Sequence, residues 1–292
     1  MGALGFVSLG FAPGIFWLWL IVRRSRHRPE PRSLILRTFL LGVAVAVPIV
    51  FVESLLQGRG HSSPLGQMSA AEAAFGAFVV AGLSEELGKF WVVRASLRES
   101  PYLDDPLRGL IFSSAVALGF SSIENVTYML RIGPEVIVVR AVLCTLGHVA
   151  FSSFWGAALG LTRQRVAQQA SESTGSGLLA LGLAGAIATH GYYDYFLMKG
   201  DEVSGFLTFL GGAVLFFVVL GRAKAASQTV HGAAVPLLSC RRCGIATPAT
   251  ASFCPRCGSG LAAPAAKHCG GCDALLPSEA EFCPSCGRHV QV

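Results

Sequence analysis

The chain contains 292 residues, of which 52% are hydrophobic and only 14% are charged, with a formal net charge of +6 at pH 7. This composition excludes an ordinary soluble domain, in which about 25% of residues are charged. It predicts an all-α polytopic membrane protein, because apolar residues reach such an excess when several helices cross a bilayer.

The predicted spans are seven apolar runs, each long enough to cross a bilayer as a helix. The first run has no charge before it and is followed by a basic cluster, unlike a cleaved signal peptide, so we expect it to remain as a helix. In chain order the runs are about Leu4–Val22, Thr38–Leu56, Ala73–Val93, Leu110–Leu130, Val136–Leu161, Gly177–Met198 and Gly205–Gly221.

Basic residues are unevenly distributed between the predicted loops and indicate the orientation. The first loop carries a cluster of arginines between Arg23 and Arg37, whereas the second carries only Arg59. By the positive-inside rule the odd loops and the C-terminus are cytoplasmic and the N-terminus is outside. We expect Arg140, near the outer end of the fifth span, to reach the interface. The net charge is therefore interpreted as a topology signal and not as nucleic-acid binding.

Ionisable residues lie inside four of the predicted spans. Placing each of them at the centre of a membrane helix costs a free energy of roughly 2.5–3.5 kcal/mol. A helix that only anchors the protein has no need of such residues, so they indicate a function inside the membrane. The third span contains the motif EExxK, the fourth FxxxEN and the sixth HGYYD. Counting from the span ends brings these groups close to the bilayer midplane, which predicts one water-accessible site. Its residues are Glu85, Glu86, Lys89, Glu124, His148, His190 and Asp194.

EExxK, FxxxE and HxxxD, in this order on membrane helices, resemble the PrsW family of intramembrane proteases and, more distantly, the CAAX-protease and bacteriocin-processing superfamily. The resemblance covers roughly residues 1–222. It implies a glutamic-type endopeptidase in a prokaryotic cell membrane that cleaves a membrane-anchored protein, in the family's best-known role to start a signalling cascade. The CAAX relatives have histidine where Glu124 stands and asparagine where Asp194 stands, so their mechanism transfers less directly than their fold.

Peptide hydrolysis needs a base that deprotonates water, a group that stabilises the oxyanion and an acid for the leaving amine. We predict Glu85 as the base, with His190 or His148 activating water or holding the oxyanion. The remaining residues are expected to tune the base, to orient His190 or to complete the cavity: Glu86, Lys89, Asp194 and Glu124.

A second version of the site adds a catalytic metal, because its carboxylates and imidazoles offer enough donors for zinc. Those donors are Glu85, Glu124, His148, His190 and Asp194. The HExxH signature of many zinc proteases is absent, so the metal-free version is preferred.

Most of the cysteines lie in the C-terminal tail as four C-x2-C pairs: Cys240/Cys243, Cys254/Cys257, Cys269/Cys272 and Cys283/Cys286. The pattern is duplicated and predicts a double zinc ribbon, with two structural zinc ions held by four thiolates each. A disulfide framework is the alternative, but the predicted cytoplasmic position of the tail disfavours it.

We therefore expect a protease domain at 1–222, a flexible linker at 223–238 and a double zinc ribbon at 239–292, with ribbons at 239–258 and 268–287. The tail has only a slight basic excess, which favours a cytosolic protein partner over nucleic acid. Two other classes of function stay open. A proton-coupled transporter would use the same residues as a relay, although the halves show no inverted repeat. A non-catalytic membrane scaffold would only present the ribbons.

Overall fold

The computed structural model describes residues 2–24, 31–60, 66–98, 100, 102–167, 172–231, 237–248, 251, 254, 256–261, 266–272, 275–277, 286, 288 and 289. The chain divides into two compact units, Met1–Thr229 and Val230–Val292. The second contains the cysteine-rich tail.

The first unit is built from helices throughout its described residues. In chain order these are α1 (Ala3–Arg24), α2 (Arg32–Gly60), α3 (Ala70–Ala74), a π-helix (Phe75–Leu83), α4 (Ser84–Ser96), α5 (Pro106–Arg131), a 3₁₀ turn (Pro134–Val136), α6 (Ile137–Arg140), α7 (Leu143–Ala167), α8 (Glu172–Met198) and α9 (Glu202–His231). Helix α9 continues through residues 223–231, which the sequence assigned to a flexible linker.

Among the described residues, α1, α2, α5 and α9 are long and apolar enough to cross a membrane. A fifth span results if the two helical segments before and after the 44° bend at residues 141–142 are counted together. The predicted third and sixth spans correspond to the helical stretch 70–96 and to α8, where polar residues lower the hydropathy. The helical membrane architecture is thus confirmed, while the count of seven spans stays a prediction.

The stretch 70–96 is a continuous helix with a π-helix in its middle. A capping box starts it, in which the Ser69 hydroxyl accepts from the Glu72 N–H and the Glu72 carboxylate accepts from the Ser69 N–H. The following segment, Phe75–Leu83, is wound as a π-helix, a rare conformation that is frequent at functional sites. Glu85 comes two residues after its end.

Helix α5 lies at the centre of the unit and packs against α1, α2 and α7. Glycines allow the close approach of these helices. A Cβ atom at Gly119 would lie 2.0 Å from the carbonyl oxygen of Phe39 in α2, and one at Gly109 would lie 2.1 Å from that of Gly156 in α7. Small residues at helix crossings are typical of membrane bundles, because they bring the backbones into contact. The crossings fix α5, and with it Glu124, against α2 and α7.

The second unit contains two short antiparallel hairpins. Strand β1 (Leu237–Ser239) pairs with β2 (Ala246–Pro248), and β3 (Ala266–His268) pairs with β4 (Leu275–Pro277). Equivalent residues of the two halves form the two hairpins, in agreement with a duplicated module. In the first hairpin, Gly244 has a φ of +70°, which suits the tight turn after a cysteine pair.

Candidate active site in the helical unit

The structure brings all seven of the predicted site residues together, from α4, α5, α7 and α8. Each helix contributes from its buried face, and the most exposed of the seven side chains, that of Asp194, is 21% accessible. The convergence follows from the central position of α5, since α4, α7 and α8 all pack in contact with one another or with that helix.

Glu86 is surrounded by hydrogen-bond donors and is fully buried. One carboxylate oxygen accepts from the Ser152 hydroxyl at 2.8 Å and from the Trp155 indole N–H at 2.9 Å. The other accepts from Lys89 Nζ at 3.0 Å and contacts His190 Nδ1 at 3.1 Å. An ionised carboxylate is an acceptor only, so four donors satisfy Glu86 as an anion. Glu86 is therefore a fixed negative charge.

Lys89 is the buried cation of the site. Its Nζ donates to Glu85 at 2.8 Å and to Glu86 at 3.0 Å, and it lies 3.0 Å from Nδ1 of His148. The ammonium also sits over the Phe120 ring, 4.2 Å from the ring centroid. One ammonium thus links both glutamates of the EExxK motif to a histidine on another helix.

The contacts of His148 define its tautomer. An ammonium group has no acceptor, so Nδ1 of His148 must accept the hydrogen bond from Lys89. The imidazole proton is then on Nε2, which donates to Glu124 over 2.6 Å. Both nitrogens of His148 are therefore engaged, and Glu124 holds the orientation of the ring.

Arg140 lies beside Glu124 and has buried partners that the sequence did not predict. Its Nη2 is 3.3 Å from Glu124, its Nε donates to Asn125 at 2.9 Å, and its guanidinium stacks 3.8 Å from the Tyr128 ring centroid. The side chain is 8% exposed and turned towards Glu124, at the end of α6 just before the bend. Its depth relative to the membrane interface stays a prediction. Arg140 is thus a second cation of the site.

His190 bridges Glu86 and Asp194. Its Nδ1 contacts Glu86, whereas its Nε2 lies 3.4 Å from Asp194 and 3.9 Å from Glu85. The Phe151 ring stacks on the imidazole at a centroid distance of 5.2 Å. Since Glu86 accepts the Nδ1 proton, Nε2 is the nitrogen of His190 that faces Glu85.

A cavity of about 240 Å³ adjoins this cluster. Glu85 lines the cavity, while Glu86 and Lys89 lie outside its lining. The lining continues towards the connections that follow α2, α5 and α8, where it includes Glu53, Tyr128, Arg140, Met68, Gly76 and Met198. The cavity thus opens away from Lys89 and towards the loops predicted to lie outside.

Glu85, His148 and His190 could also hold a metal ion, because one ligand atom from each lies within 4.8 Å of the others. One carboxylate and two imidazoles form the ligand set of many catalytic zinc sites. The contact from Glu86 to the other nitrogen of His190 resembles the outer contacts that orient metal-bound histidines. In the structure, however, the Lys89 ammonium already hydrogen-bonds two of the three groups.

Several residues of the site were not predicted from the sequence. In the sequence, Trp155 resembles an ordinary core aromatic residue. The structure connects it to the site through its hydrogen bond to Glu86. Glu53 was not assigned to the site, but it lines the cavity and its carboxyl group lies 3.2 Å from the Ser84 hydroxyl. The bend in α6–α7 carries no motif that would have predicted the position of Arg140.

The tail contains a separate cluster of thiols. Cys240, Cys243, Cys254 and Cys257 place their sulfur atoms within 4.8 Å of one another. The Sγ atoms of Cys243 and Cys254 are 3.4 Å apart, well beyond the ~2.05 Å of a disulfide. The arrangement is suited to zinc.

The second thiol cluster contains Cys269, Cys272 and Cys286. Its predicted fourth ligand, Cys283, lies outside the described residues.

Comparisons with known proteins identify a family for the helical part of the chain and for its cysteine-rich tail. Residues 30–221 match the family model described as PrsW family intramembrane metalloprotease, and residues 240–287 match the double zinc ribbon. The match to the second model confirms the predicted zinc-binding module.

Curated relatives cover the helical unit. The chain is similar to "Protease PrsW" of Geobacillus kaustophilus, with 33% identity over 79% of this chain and 96% of the relative. It is also similar to "Protease PrsW" of Bacillus subtilis, with 27% identity over 75% of this chain and 93% of the relative. No solved structure shows significant similarity to the chain.

Proposed function

The chain belongs to the PrsW family of intramembrane proteases, and from this premise we propose that the cluster around Glu85 hydrolyses a peptide bond of its membrane-embedded protein substrate. The observation that carries the proposal is the different environment of the two adjacent glutamates. Glu85 lines the cavity beside two histidines, whereas Glu86 is enclosed by four donors. A base needs a free lone pair in reach of water, and Glu85 is the better candidate.

In this mechanism Glu85 takes a proton from a water molecule in the cavity. Lys89 holds the Glu85 carboxylate in place through an ion pair, and Glu86 holds Lys89 in turn. Both ion pairs are strengthened by the low polarity of the buried site. In this step His190 is an imidazolium, with one proton on Nδ1 towards Glu86 and one on Nε2. Its Nε2–H donates to the developing oxyanion, or gives its proton to the leaving amine and leaves a neutral imidazole. His148 has both nitrogens engaged, so it acts by positioning Lys89 and Glu124.

The family description includes a metal, and the donors of this site fit one. Glu85, His148 and His190 would hold it, and a zinc ion there would polarise the scissile carbonyl or lower the pKa of a bound water molecule. We favour the version that uses the chain's own groups, because Lys89 already provides a positive charge at Glu85 and His148.

Substrate access is proposed from the outer side of the membrane. The cavity is lined by residues that lie towards the connections after α2, α5 and α8, and the positive-inside rule assigns these connections to the outside. The scissile bond would then lie in the outer half of the bilayer or next to it.

The ribbons are proposed to bind two zinc ions in the cytosol and to dock a protein partner. The arrangement of Cys240, Cys243, Cys254 and Cys257 supports a four-thiolate site, which leaves no position for catalysis. The chemistry is therefore assigned to the helical unit alone.

The test is a comparison of wild-type protein with Glu85→Gln in membranes, followed by proteomics of membrane-protein fragments. We expect Glu85→Gln to fold normally and to lose cleavage by about 10²–10⁴-fold, the usual contribution of a general base. Glu135→Gln is the matched control, since Glu135 is an exposed glutamate before α6. Normal cleavage by Glu85→Gln would disprove the assignment, and a proton flux without any fragment would favour a transporter.

A further inference from the structure

The cavity next to Glu85 has an apolar end in addition to its ionisable groups. Its lining includes Met68, Gly76, Leu197 and Met198 as well as Phe151. Only four methionines occur in the whole chain, and two of them lie here. Methionine is flexible and polarisable, and it is frequent at surfaces that accept variable apolar groups.

Helix α8 connects the two ends of the cavity. His190, Asp194 and Met198 are spaced by four residues each, so they lie on one face of the helix, with about 6 Å between successive positions. Met198 is therefore roughly 12 Å from His190 along the helix axis. An extended peptide advances by about 3.3 Å per residue, so a substrate held at Glu85 would bring a residue about three or four positions from the scissile bond to Met198.

The absence of a side chain at position 76 lets the Met198 side chain pack against the backbone of the π-helix. A Cβ atom at Gly76 would lie 3.2 Å from Sδ and 3.5 Å from Cε of Met198. Gly76 is buried in the π-helix that leads to Glu85. Any larger residue at position 76 would push the Met198 thioether aside and narrow the cavity that both residues line.

The backbone around the two methionines is tied together. The Gly66 N–H donates to the Met198 carbonyl at 2.9 Å, and Lys199 Nζ donates to the Met68 carbonyl. Gly66 and Gly200 both have positive φ angles, and a Cβ at Gly200 would lie 3.2 Å from the Gly66 Cα. The wall therefore has a fixed backbone and adjustable side chains.

We propose that the end of the cavity formed by Met68, Gly76, Leu197 and Met198 is a specificity subsite, which accepts an apolar side chain of the substrate close to the scissile bond. Gly76 and Met198 set the size of the side chain that fits. The inference rests on the proposed function, since it assigns the cavity to a peptide substrate that reacts at Glu85.

The subsite predicts opposite shifts in selectivity for two substitutions. Gly76→Leu fills the space and should favour small residues, whereas Met198→Ala enlarges it and should favour large ones. One methylene group in an apolar pocket changes selectivity by about 10–200-fold, so a shift of at least tenfold is expected. Gly211→Leu is the matched control, because a Cβ at this exposed position of α9 has nothing within 4 Å.

The experiment uses the full-length protein in proteoliposomes. The probe is a synthetic library of single transmembrane helices whose outer flank and first helical turns are randomised, and mass spectrometry identifies the residues around each cleaved bond. The wild type and Gly211→Leu should select an apolar residue at the same flanking position. Gly76→Leu should shift that position to small residues and Met198→Ala to large ones. If Gly76→Leu does not fold, Met198→Ala decides alone.

Two results would have different meanings. Cleavage at the wild-type rate with an unchanged residue profile in both variants would overturn the subsite and leave the protease intact. Library cleavage that is equal in wild type and Glu85→Gln would overturn the proposed catalytic site, and the subsite with it.

Discussion

The indole N–H of Trp155 donates a hydrogen bond to the carboxylate of Glu86 over 2.9 Å, between two side chains that are both fully buried. The bond joins α7 to α4 at the level of the site. It provides one of the donors that keep Glu86 ionised, and Glu86 in turn contacts His190. A large aromatic residue thus contributes to the orientation of a histidine on a third helix.

Replacement of Trp155 by phenylalanine should reduce activity and stability together. The change removes a hydrogen bond to a charged acceptor, which is worth about 1.5–3 kcal/mol. If this free energy is lost from the transition state, activity should fall by about 10–100-fold, because each 1.36 kcal/mol corresponds to a factor of ten in rate. Thermal unfolding in detergent and the cleavage rate provide the two measurements. Trp91→Phe is the control, because Trp91 is 69% exposed on α4. Equal effects of the two variants would contradict the role of Trp155.

Arg140→Gln should destabilise the site around Glu124. The substitution removes the guanidinium that contacts Glu124 and Asn125, and an unsatisfied buried partner costs about 1–3 kcal/mol. Arg140→Lys keeps the positive charge but lacks the planar set of N–H donors of a guanidinium. It should therefore restore only part of the stability that Arg140→Gln loses. Arg131→Gln changes an exposed arginine at the end of α5 and should be near neutral. Unfolding midpoints of the three variants test this order.

Gly119→Ala should weaken the crossing of α2 and α5. The new Cβ would lie 2.0 Å from the carbonyl oxygen of Phe39, so the helices must separate. Overpacking costs about 1–3 kcal/mol, which exceeds the gain of up to about 1 kcal/mol in helix propensity. Gly221→Ala has open space at its Cβ and should stabilise α9 slightly. A Gly119→Ala protein as stable as the wild type would show that the crossing tolerates a wider spacing.

Zinc content should separate the two versions of the active site. We expect two zinc ions per chain in the wild type, one in Cys240→Ser/Cys243→Ser and an unchanged two in His148→Asn, as measured by elemental analysis of purified protein. Four-thiolate sites need all their ligands, so the double cysteine variant should lose one ion completely. Three ions in the wild type and two in His148→Asn would identify a metal at Glu85, His148 and His190.

The sequence predicted the members of the site because each is an ionisable residue in an apolar segment, where its energetic cost makes it conspicuous. Glu85, His148 and His190 were identified in this way, and the structure brings them into one cluster. Their individual roles could not be derived from the sequence. The difference between Glu85 and Glu86 depends on which helix face meets Trp155 and Ser152, and these contacts join residues far apart in the chain.

The partners of Arg140 could not be predicted from the sequence for a related reason. A cation near the end of an apolar run normally extends to the interface, but the bend between α6 and α7 directs this one towards Glu124. The π-helix was also not predicted, because Phe75–Leu83 contains ordinary helix-compatible residues. Both features are set by packing and not by local propensity.

The π-helix makes the active site of this chain sensitive to insertions and deletions between Phe75 and Leu83. Its backbone contains more residues per turn than an α-helix, so the number of residues between Phe75 and Leu83 determines the direction in which Glu85 points. One residue of an α-helix corresponds to a rotation of about 100°. A single deletion in this segment would therefore rotate Glu85, Glu86 and Lys89 together, away from their partners on α5, α7 and α8. The number of residues in the π-helix therefore matters for the site as much as the presence of a glutamate at position 85.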